Sequence, residues 1–307
     1  MKIENKDITF VVQGPVQANS DRKQLLGITE QCLSSIRYYF PGSAIILSTW
    51  KGQEVSDLDF DKIIELDDPG PNFILQDGER LKLNNNRQMY STHMGLKAVR
   101  TKYAVKLRTD NKLSGRNFIT LFEQYARLPR EKEFNFLNSR VVTSSAFFIS
   151  SHAGKATHFH KSDLFDFGET EDLLKIWGEH FIPDGQSFSK QSGYKSRYPA
   201  TEQFLCLNWI SHLIKRPCYI NTKAGDSAAL GDEFWPNFIA NNLIVDQPES
   251  LGLDVTARFY KRGNLALEYD LQDWLYLNGQ RKKPIDAKRL YRLYKVLIGK
   301  LGHTLKG

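Results

Sequence analysis

Residues 84–110 read NNNRQMYSTHMGLKAVRTKYAVKLRTD, and this stretch decides the expected fold. It predicts a helix from about residue 86 to residue 99, then a turn and a buried strand over residues 103–107 that leads into Asp110. In sheets with helical crossovers, ligands bind at the carboxyl ends of the strands, and anions bind at helix N-termini. The stretch therefore predicts a site for a phosphorylated ligand where the polar helix start meets the strand end.

The sequence before this stretch alternates strands with helices. We expect strands within residues 7–16 (DITFVVQGPV), 44–50 (AIILSTW) and 61–70 (DKIIELDDPG), and a helix between the first two that ends at Pro41. This spacing is typical of a mostly parallel, Rossmann-type α/β sheet flanked by helices. Residues 71–85 are polar and are expected to be irregular.

The pattern changes after Asp110. Residues 135–149 predict a strand, a turn and a second strand, residues 202–214 a helix, and residues 217–223 a further strand. Residues 150–200 are rich in Ser, Gly, His and aromatic residues, which suits binding loops. Residues 224–280 give no clear pattern.

Composition excludes several classes of protein. With 307 residues, 41% of them hydrophobic and 25% charged, the chain suits one α/β domain or two small ones. It contains no apolar run long enough to span a membrane, and its polar start lacks the apolar stretch of a signal peptide. The three cysteines have no metal-like spacing. We therefore expect a cytoplasmic protein without disulfides or a zinc site.

The positive charge of the chain is concentrated at its C-terminus. From residue 281 onwards there are nine Lys and Arg against Asp286, a net +8, so the total of +7 leaves −1 for residues 1–280. A body without net positive charge argues against nucleic acid as a partner. Within the tail, apolar residues recur at helical spacing, which predicts a basic amphipathic helix that lies on an anionic bilayer surface. A helix docked on the body with a solvated basic face is the alternative.

The end of the predicted fourth strand carries the first candidate site residues. Because side chains alternate along a strand, Lys106, Arg108 and Asp110 share one face. Many nucleotide-sugar enzymes place two acids at this spacing to hold a divalent metal. Here Arg108 stands in the first position, so either Asp110 holds Mn²⁺ or Mg²⁺, or Arg108 supplies the positive charge itself. An Arg–Asp pair that only stabilises the loop is the alternative.

Two neighbouring segments offer further candidate residues for binding a nucleotide sugar. Asn86 and Arg87 open the predicted helix, where an arginine can bind a phosphate or sugar hydroxyls with two hydrogen bonds. Gln13, Gly14 and Pro15 end the first strand, where nucleotide bases dock in doubly wound sheets. Gly14 lets a backbone approach closely, and Gln13 can hydrogen-bond a base edge. A solvated helix start and an ordinary turn are the alternatives.

Two acids are candidates for the general base that deprotonates an acceptor hydroxyl. Glu202 lies near a predicted helix start, where a carboxylate is also favourable for the helix alone. Asp163 lies in FHKSDLFDFG together with Asp166, and either of them can act as the base. A helix cap is the alternative role for Asp163. His158 and His160 lack a third ligand at useful spacing, so no metal site is expected there.

Several of these segments, taken in order, resemble the WavE-type lipopolysaccharide-synthesis family over about residues 7–215. They are DITFVVQGPV, CLSSIRYYFPGSAIILSTWKG, LDDPG, NNNRQ, KYAVKLRTD, SDLFDFG and TEQFL. The resemblance implies a bacterial GT-A-like glycosyltransferase, acting in the assembly of lipopolysaccharide, O-antigen or capsule. In related enzymes a strand-end acid binds the metal–diphosphate, which maps onto Asp110, and an acid at a later helix start often serves as base, which maps onto Glu202.

The expected protein is therefore a hexosyltransferase that moves a sugar from a nucleotide sugar to a lipid-linked glycan. Residues 1–110 would form the nucleotide-sugar-binding half and residues 111–280 the acceptor-side half of one GT-A-like domain. The basic tail at 281–307 would hold the enzyme on the cytoplasmic face of the inner membrane. The alternative is a non-catalytic nucleotide- or glycan-binding scaffold in a membrane-associated assembly complex. The missing first acid at position 108 is its main support.

Overall fold

The protein is represented by a computed structural model that describes residues 2–18, 24–178, 181–188, 199–262 and 265–304. The strands are β1 (Ile8–Gln13), β2 (Ala44–Trp50), β3 (Lys62–Leu66), β4 (Asn72–Gln76), β5 (Glu79–Leu83), β6 (Tyr103–Arg108), β7 (Lys112–Leu113), β8 (Val141–Ser144), β9 (Ser151–His152), β10 (Lys155–Ala156), β11 (Phe165–Glu169), β12 (Gln186–Phe188), β13 (Leu243–Asp246) and β14 (Leu253–Asp254). The helices are α1 (Ile28–Tyr39), α2 (Asn85–Lys97), α3 (Asn117–Tyr125), α4 (Thr170–Ile176), α5 (Thr201–Leu213), α6 (Phe234–Asn242), α7 (Pro248–Leu251), α8 (Ala257–Arg262), α9 (Leu271–Leu277) and α10 (Ala287–Thr304).

A seven-stranded sheet in the order β13-β8-β11-β6-β1-β2-β3 forms the centre of the fold. Its strands pair in parallel, except that β11 runs antiparallel to both β6 and β8. Every residue of β1 is buried, as expected for a strand covered by helices on both faces. The mostly parallel α/β sheet flanked by helices that the sequence predicted is confirmed.

Helix α2 packs unusually close to the sheet. A Cβ atom on Gly95 would lie 2.4 Å from Cγ1 of Val11, so only glycine fits at this crossing. The Ser48 hydroxyl in β2 donates a hydrogen bond to the backbone oxygen of Ser91 in the same helix (2.7 Å). These contacts hold the second half of α2 against β1 and β2.

Two sequence-based expectations for loops and strands are wrong. Residues 71–85 form the β4–β5 hairpin, joined by Asp77 (φ 53°) and Gly78 (φ 81°), a dipeptide that suits a two-residue hairpin turn. Residues 217–223 form no strand, because side chains satisfy their backbone instead of a neighbouring strand. The amide of Cys218 donates to Ser211 Oγ (2.9 Å), and that of Asn221 donates to a carboxylate oxygen of Asp226 (2.5 Å).

The C-terminal part of the chain completes the same sheet. Only Val141–Ser144 of the expected strand–turn–strand at 135–149 forms a sheet strand, β8. The unpatterned region 224–280 supplies β13, which pairs in parallel with β8. The two predicted halves therefore share one sheet. Among the described residues, no helix combines the length and the apolar character needed to cross a bilayer.

Candidate functional site

The carboxyl ends of β1 and β6 lie side by side and bring two predicted segments together. Gln13 pairs in register with Arg108, and the Thr109 hydroxyl donates a hydrogen bond to the backbone oxygen of Pro15 (2.8 Å). Gly14 adopts a φ of 117°, which other residues rarely tolerate, and its amide donates to the Ser48 backbone oxygen (3.1 Å). The sheet order reverses between these two strands, which is where doubly wound sheets open a binding crevice.

Arg108 is the centre of this edge. Its Nε and Nη2 donate to the two carboxylate oxygens of Asp110 at 2.9 and 3.1 Å, and its Nη1 lies 3.9 Å from Oδ2 of Asp163. The guanidinium also lies over the Phe259 ring, 5.4 Å from its centroid. All three charged side chains are largely buried, so their interactions are less screened than those of a surface pair.

Glu202 belongs to the same cluster. Burial lowers the pKa of Arg108, but the charges of Asp110, Asp163 and Glu202 raise it by more, so the guanidinium pKa lies above its usual value. Glu202 is in the first turn of α5, and the amide of Asn85, at the start of α2, donates to the Thr201 backbone oxygen (3.0 Å). The N-termini of α2 and α5 therefore lie side by side, and the charge of Glu202 acts on Arg108.

A buried lysine holds Asp163 in place. The Lys106 ammonium and the Gln88 side-chain amide (2.9 Å) both donate to the backbone oxygen of Asp163. Lys106 is fully buried, with its Nζ 4.5 Å from the centroid of the Trp177 ring. Burial lowers the pKa of Lys106 to about 7, although Asp163 and Asp166 act in the opposite direction. The sequence placed Lys106 on the site face but indicated no role for it.

The structure distinguishes Asp163 from Asp166. Both carboxylate oxygens of Asp166 accept hydrogen bonds, from the Lys161 ammonium (2.7 Å) and from the Trp177 indole (2.8 Å). Asp166 is completely buried in β11, whereas Asp163 precedes the strand and faces Arg108. Of the two, Asp163 is therefore the one that lies in the cluster.

The predicted residues at the start of α2 make contacts within the protein. Arg87 binds Asp68 through Nε and Nη2, at 2.7 and 2.6 Å, and this contact ties the helix to the turn after β3. The Asn86 side chain both donates to and accepts from the backbone of Ile182 (3.0 and 2.8 Å). In this arrangement Asn86 and Arg87 position loops at the edge of the site. Binding of the nucleotide sugar by these two residues stays a prediction.

The Gln13 side chain is also engaged. It is buried, and its Oε1 accepts a hydrogen bond from the Ser91 hydroxyl of α2 (2.8 Å). This contact holds the helix against the end of β1. Recognition of a base edge by Gln13 stays a prediction.

Asn111 is a candidate that sequence analysis missed. It follows Asp110 directly and is almost completely buried, yet neither polar atom of its side chain has a partner among the described residues. Buried amides are nearly always hydrogen-bonded, so an unsatisfied one next to the cluster is unusual. Nothing in the local sequence distinguishes Asn111, because the signal is the absence of a three-dimensional contact.

Comparison with known protein families produces a match over nearly the whole chain. The family model described as WavE lipopolysaccharide synthesis matches residues 8–304. The chain belongs to this family. The match confirms the resemblance seen in the sequence and extends it from residue 215 almost to the C-terminus, and it indicates a role in lipopolysaccharide synthesis. None of the curated proteins matches this WavE-family chain.

A solved structure that shows a distant likeness to the chain is that of 4-diphosphocytidyl-2C-methyl-D-erythritol synthase from Anaerococcus prevotii. It has 9% sequence identity and a TM-score of 0.33, and the similarity covers 68% of the WavE-family chain and all of the other. A likeness of this degree carries no information on activity.

The residues around Asp110 do not fit a divalent cation in this arrangement. Magnesium and calcium need oxygen ligands, but both carboxylate oxygens of Asp110 already accept hydrogen bonds from Arg108. In the part of the WavE-family chain that the structure describes, no three or more His, Cys, Asp and Glu side chains are grouped so as to hold a metal. A metal role for Asp110 requires that the pair with Arg108 opens, and it stays a prediction.

A separate pocket of about 330 Å³ lies along α5. Its described lining includes Phe188, Phe204, Leu207 and Tyr219, but none of the predicted donor-binding or catalytic residues. The candidate site of this WavE-family protein is therefore defined by the convergence of charges on Arg108 and not by this cavity.

Proposed function

We propose that this WavE-family protein is a glycosyltransferase that moves a sugar from a nucleotide-sugar donor to a lipid-linked glycan in lipopolysaccharide synthesis. The observation that carries the proposal is the convergence of Asp110, Asp163 and Glu202 on the Arg108 guanidinium at the carboxyl edge of the sheet. The reaction needs a cation for the departing diphosphate and a carboxylate for the acceptor hydroxyl, and this cluster contains both.

In this proposal the Arg108 guanidinium supplies the positive charge that binds the donor diphosphate. Nη1 of Arg108 lies 3.9 Å from Asp163, too long for a hydrogen bond, so its N–H groups can donate to a phosphate oxygen while Nε and Nη2 stay on Asp110. The bidentate contact with Asp110 fixes the plane of the guanidinium. The segment Gln13–Pro15 lies in the crevice beside Arg108, where the nucleotide would dock.

Glu202 is proposed as the base and Asp163 as a second acid that orients Arg108 or a sugar hydroxyl. Glu202 is partly exposed, so an acceptor can reach it, whereas the Asp163 side chain is almost fully buried. In the transfer step, the bond between the anomeric carbon and the phosphate oxygen breaks as the acceptor oxygen bonds to that carbon. The acceptor proton passes to Glu202, and the leaving nucleoside diphosphate keeps the electron pair beside Arg108.

The test combines donor binding with transfer to a lipid-linked acceptor. Thermal unfolding with a panel of nucleotide sugars identifies the donor, because a ligand at about 100 times its Kd stabilises by about 2.7 kcal/mol. We expect Arg108→Gln to abolish this stabilisation. Glu202→Gln should keep it but lower the transfer rate by about 100-fold or more, the usual contribution of a general base.

The chain offers a matched control for Glu202. Glu171 is also the second residue of a helix and also follows a threonine, but α4 begins at the opposite edge of the sheet, where the Thr170 amide donates to the Lys102 backbone oxygen (2.9 Å). Glu171→Gln should change neither donor binding nor transfer. Full transfer by Glu202→Gln contradicts its role as base. Donor binding without transfer to any acceptor by the wild type supports the scaffold function instead.

Metal dependence is tested in the same assay. Because Arg108 already occupies the oxygens of Asp110, we expect the donor to stabilise the protein equally in EDTA and in Mg²⁺ or Mn²⁺. If the donor stabilises the protein only with a metal, the Arg108–Asp110 pair must open to admit the cation, and Asp110→Asn should then abolish the metal effect.

A further inference from the structure

The C-terminal helix α10 is bound to the rest of the protein through its charged face. Arg292 donates to both carboxylate oxygens of Asp273 (2.9 Å each) and to the backbone oxygens of Ala266 and Glu268 (2.7 Å each). Lys288 binds Asp270 at 2.9 Å, and Arg289 binds both Asp270 and Asp273. The basic residues at the start of the helix therefore point inward and are paired.

A close backbone contact fixes the second half of the helix. A Cβ atom on Gly299 would lie 2.6 Å from the backbone nitrogen of Gly154, in the turn between β9 and β10. A Cβ atom on Gly154 would in turn lie 2.8 Å from the backbone nitrogen of Lys300. Two glycines therefore let the helix and the turn touch, so α10 is held near both of its ends.

Since its charged face is turned inward, α10 presents its apolar residues to the outside. We call them the outward apolar face, and each of them is between 49% and 62% exposed: Leu290, Tyr291, Leu293, Tyr294, Leu297, Ile298 and Leu301. Scattered exposed apolar residues are ordinary, but a contiguous patch of this size marks an interaction surface. The usual orientation of an amphipathic helix on a globular protein is reversed here.

We propose that the outward apolar face inserts into the surface of an anionic bilayer, with α10 lying in the plane of the membrane. The helical stripe of Leu and Ile suits the boundary of the acyl chains, and its two tyrosines suit the headgroup level. Arg281, Lys282 and Lys283 are exposed just before the helix, and Lys295 is exposed beside the stripe. These cations complement anionic headgroups.

The same charges argue against a second copy of the chain as the occupant. In a symmetric dimer the same patch faces itself, so Lys282, Lys283 and Lys295 of one copy would approach those of the other. An anionic bilayer instead neutralises them. Membrane binding by α10 does not require the proposed transferase activity. Only its purpose, which is to bring the enzyme to a lipid-linked acceptor, rests on the proposed function. The surface itself is independent of the Arg108 cluster.

The test is sedimentation of the full chain with vesicles of phosphatidylcholine, with and without phosphatidylglycerol. We expect binding that increases with the anionic lipid. Leu293→Asp combined with Leu297→Asp should weaken it by about 100-fold or more, because each leucine withdrawn from hydrocarbon is worth about tenfold. Lys282→Gln and Lys283→Gln should each weaken binding to anionic vesicles by about fivefold.

The matched control places two aspartates at aromatic positions elsewhere that are more exposed than Leu293 and Leu297. Tyr38 is 78% exposed on α1 and Tyr219 is 71% exposed after α5, so Tyr38→Asp with Tyr219→Asp should bind vesicles like the wild type. Thermal unfolding with the donor, measured on every variant, shows that each is folded and tests the transferase proposal separately. Loss of vesicle binding with donor stabilisation intact would concern α10 alone.

Three results would overturn the proposal. The first is a wild type that sediments with neither kind of vesicle, and the second is a double leucine variant that binds as well as the wild type. The third is a wild-type dimer in solution that ignores vesicles and that the leucine variant turns into a monomer, which would show that a second copy covers the face.

Discussion

At the scale of single residues, the site depends on charged groups that are held by one another. Asp163 and Asp166 lie three positions apart, and the sequence could not choose between them. The choice is made by Lys161 and Trp177, which occupy both oxygens of Asp166 and leave Asp163 beside Arg108. Such a distinction depends on contacts in three dimensions, among them that of Asp163 with the distant Arg108, so local spacing predicted the candidates but not their roles.

Lys106 gives a prediction on pH. Burial lowers its pKa in the folded protein to about 7, while the ordinary value, expected in the unfolded chain, is 10.5. Between these values the unfolded chain binds more protons, so this group makes stability rise with pH from about 7. The free energy of unfolding of the wild type should therefore rise relative to that of Lys106→Met between pH 7 and pH 9. A pH-independent difference would contradict the lowered pKa.

Arg108 gives a second prediction at this scale. Arg108→Lys keeps a positive charge but loses the bidentate contact with Asp110, because an ammonium cannot donate parallel hydrogen bonds to both carboxylate oxygens as a planar guanidinium does. We expect the donor affinity, measured by titration calorimetry, to fall by about tenfold or more, the value of one charged hydrogen bond. Lys295→Arg, on the exposed side of α10, is the control and should leave the affinity unchanged. An unaltered affinity in Arg108→Lys would mean that only the net charge matters.

At the scale of elements, long strands and helices with clear periodicity were predicted well. Strands β1, β2, β3 and β6 and helices α1, α2 and α5 lie where apolar patterns and end signals place them. The β4–β5 hairpin was missed although Asp77-Gly78 is a strong turn signal, because both strands are only five residues long and β5 carries charged residues at exposed positions. Strand β13 is only four residues long, and its burial beside β8 could not be read from so short a pattern.

The contact between α10 and the β9–β10 turn gives a prediction on an element. Gly299→Val should lower the free energy of unfolding by about 1–2 kcal/mol, because its new atoms would meet the backbone of Ala153 and Gly154, which cannot move aside like a side chain. Valine is the better helix former by less than about 1 kcal/mol, so the clash outweighs the gain in propensity. Urea denaturation measures the difference.

The control for this prediction lies one turn away. Lys295→Val introduces the same side chain at an exposed position of α10 and should change the free energy of unfolding by less than about 0.5 kcal/mol. If Gly299→Val is as stable as this control, α10 is not held by the turn.

At the scale of the whole molecule, the sequence indicated a body and a separate tail, and charge supported that division. The family match reaches residue 304, and the structure shows that the basic residues of the tail pair with acids of the body. Composition revealed that the tail was basic and amphipathic. It could not reveal which face points outward, because that depends on Asp270 and Asp273 in a region without a readable pattern.

Removal of the tail tests whether it is part of the fold. Burial raises the pKa of Asp270, but Arg289 and Lys288 lower it by more, to about 2, so these contacts stabilise the protein above the ordinary carboxyl pKa of 3.8. A chain that ends at residue 280 removes the cations that pair with Asp270 and Asp273, two carboxylates that are largely buried in the full chain. We expect its Tm at pH 7 to fall by about 5 °C or more, since unpaired buried charges are strongly destabilising.

The same truncation carrying Asp270→Asn and Asp273→Asn separates charge from lost packing. If unpaired carboxylates cause the loss, these substitutions should recover part of the Tm at pH 7, because neutral amides do not need cations. The benefit should shrink as the pH falls through 3.8, where Asp270 becomes protonated without its cations. A truncated chain as stable as the full one would show that α10 is an appendage. Its inward charged face would then have to be explained by something other than docking.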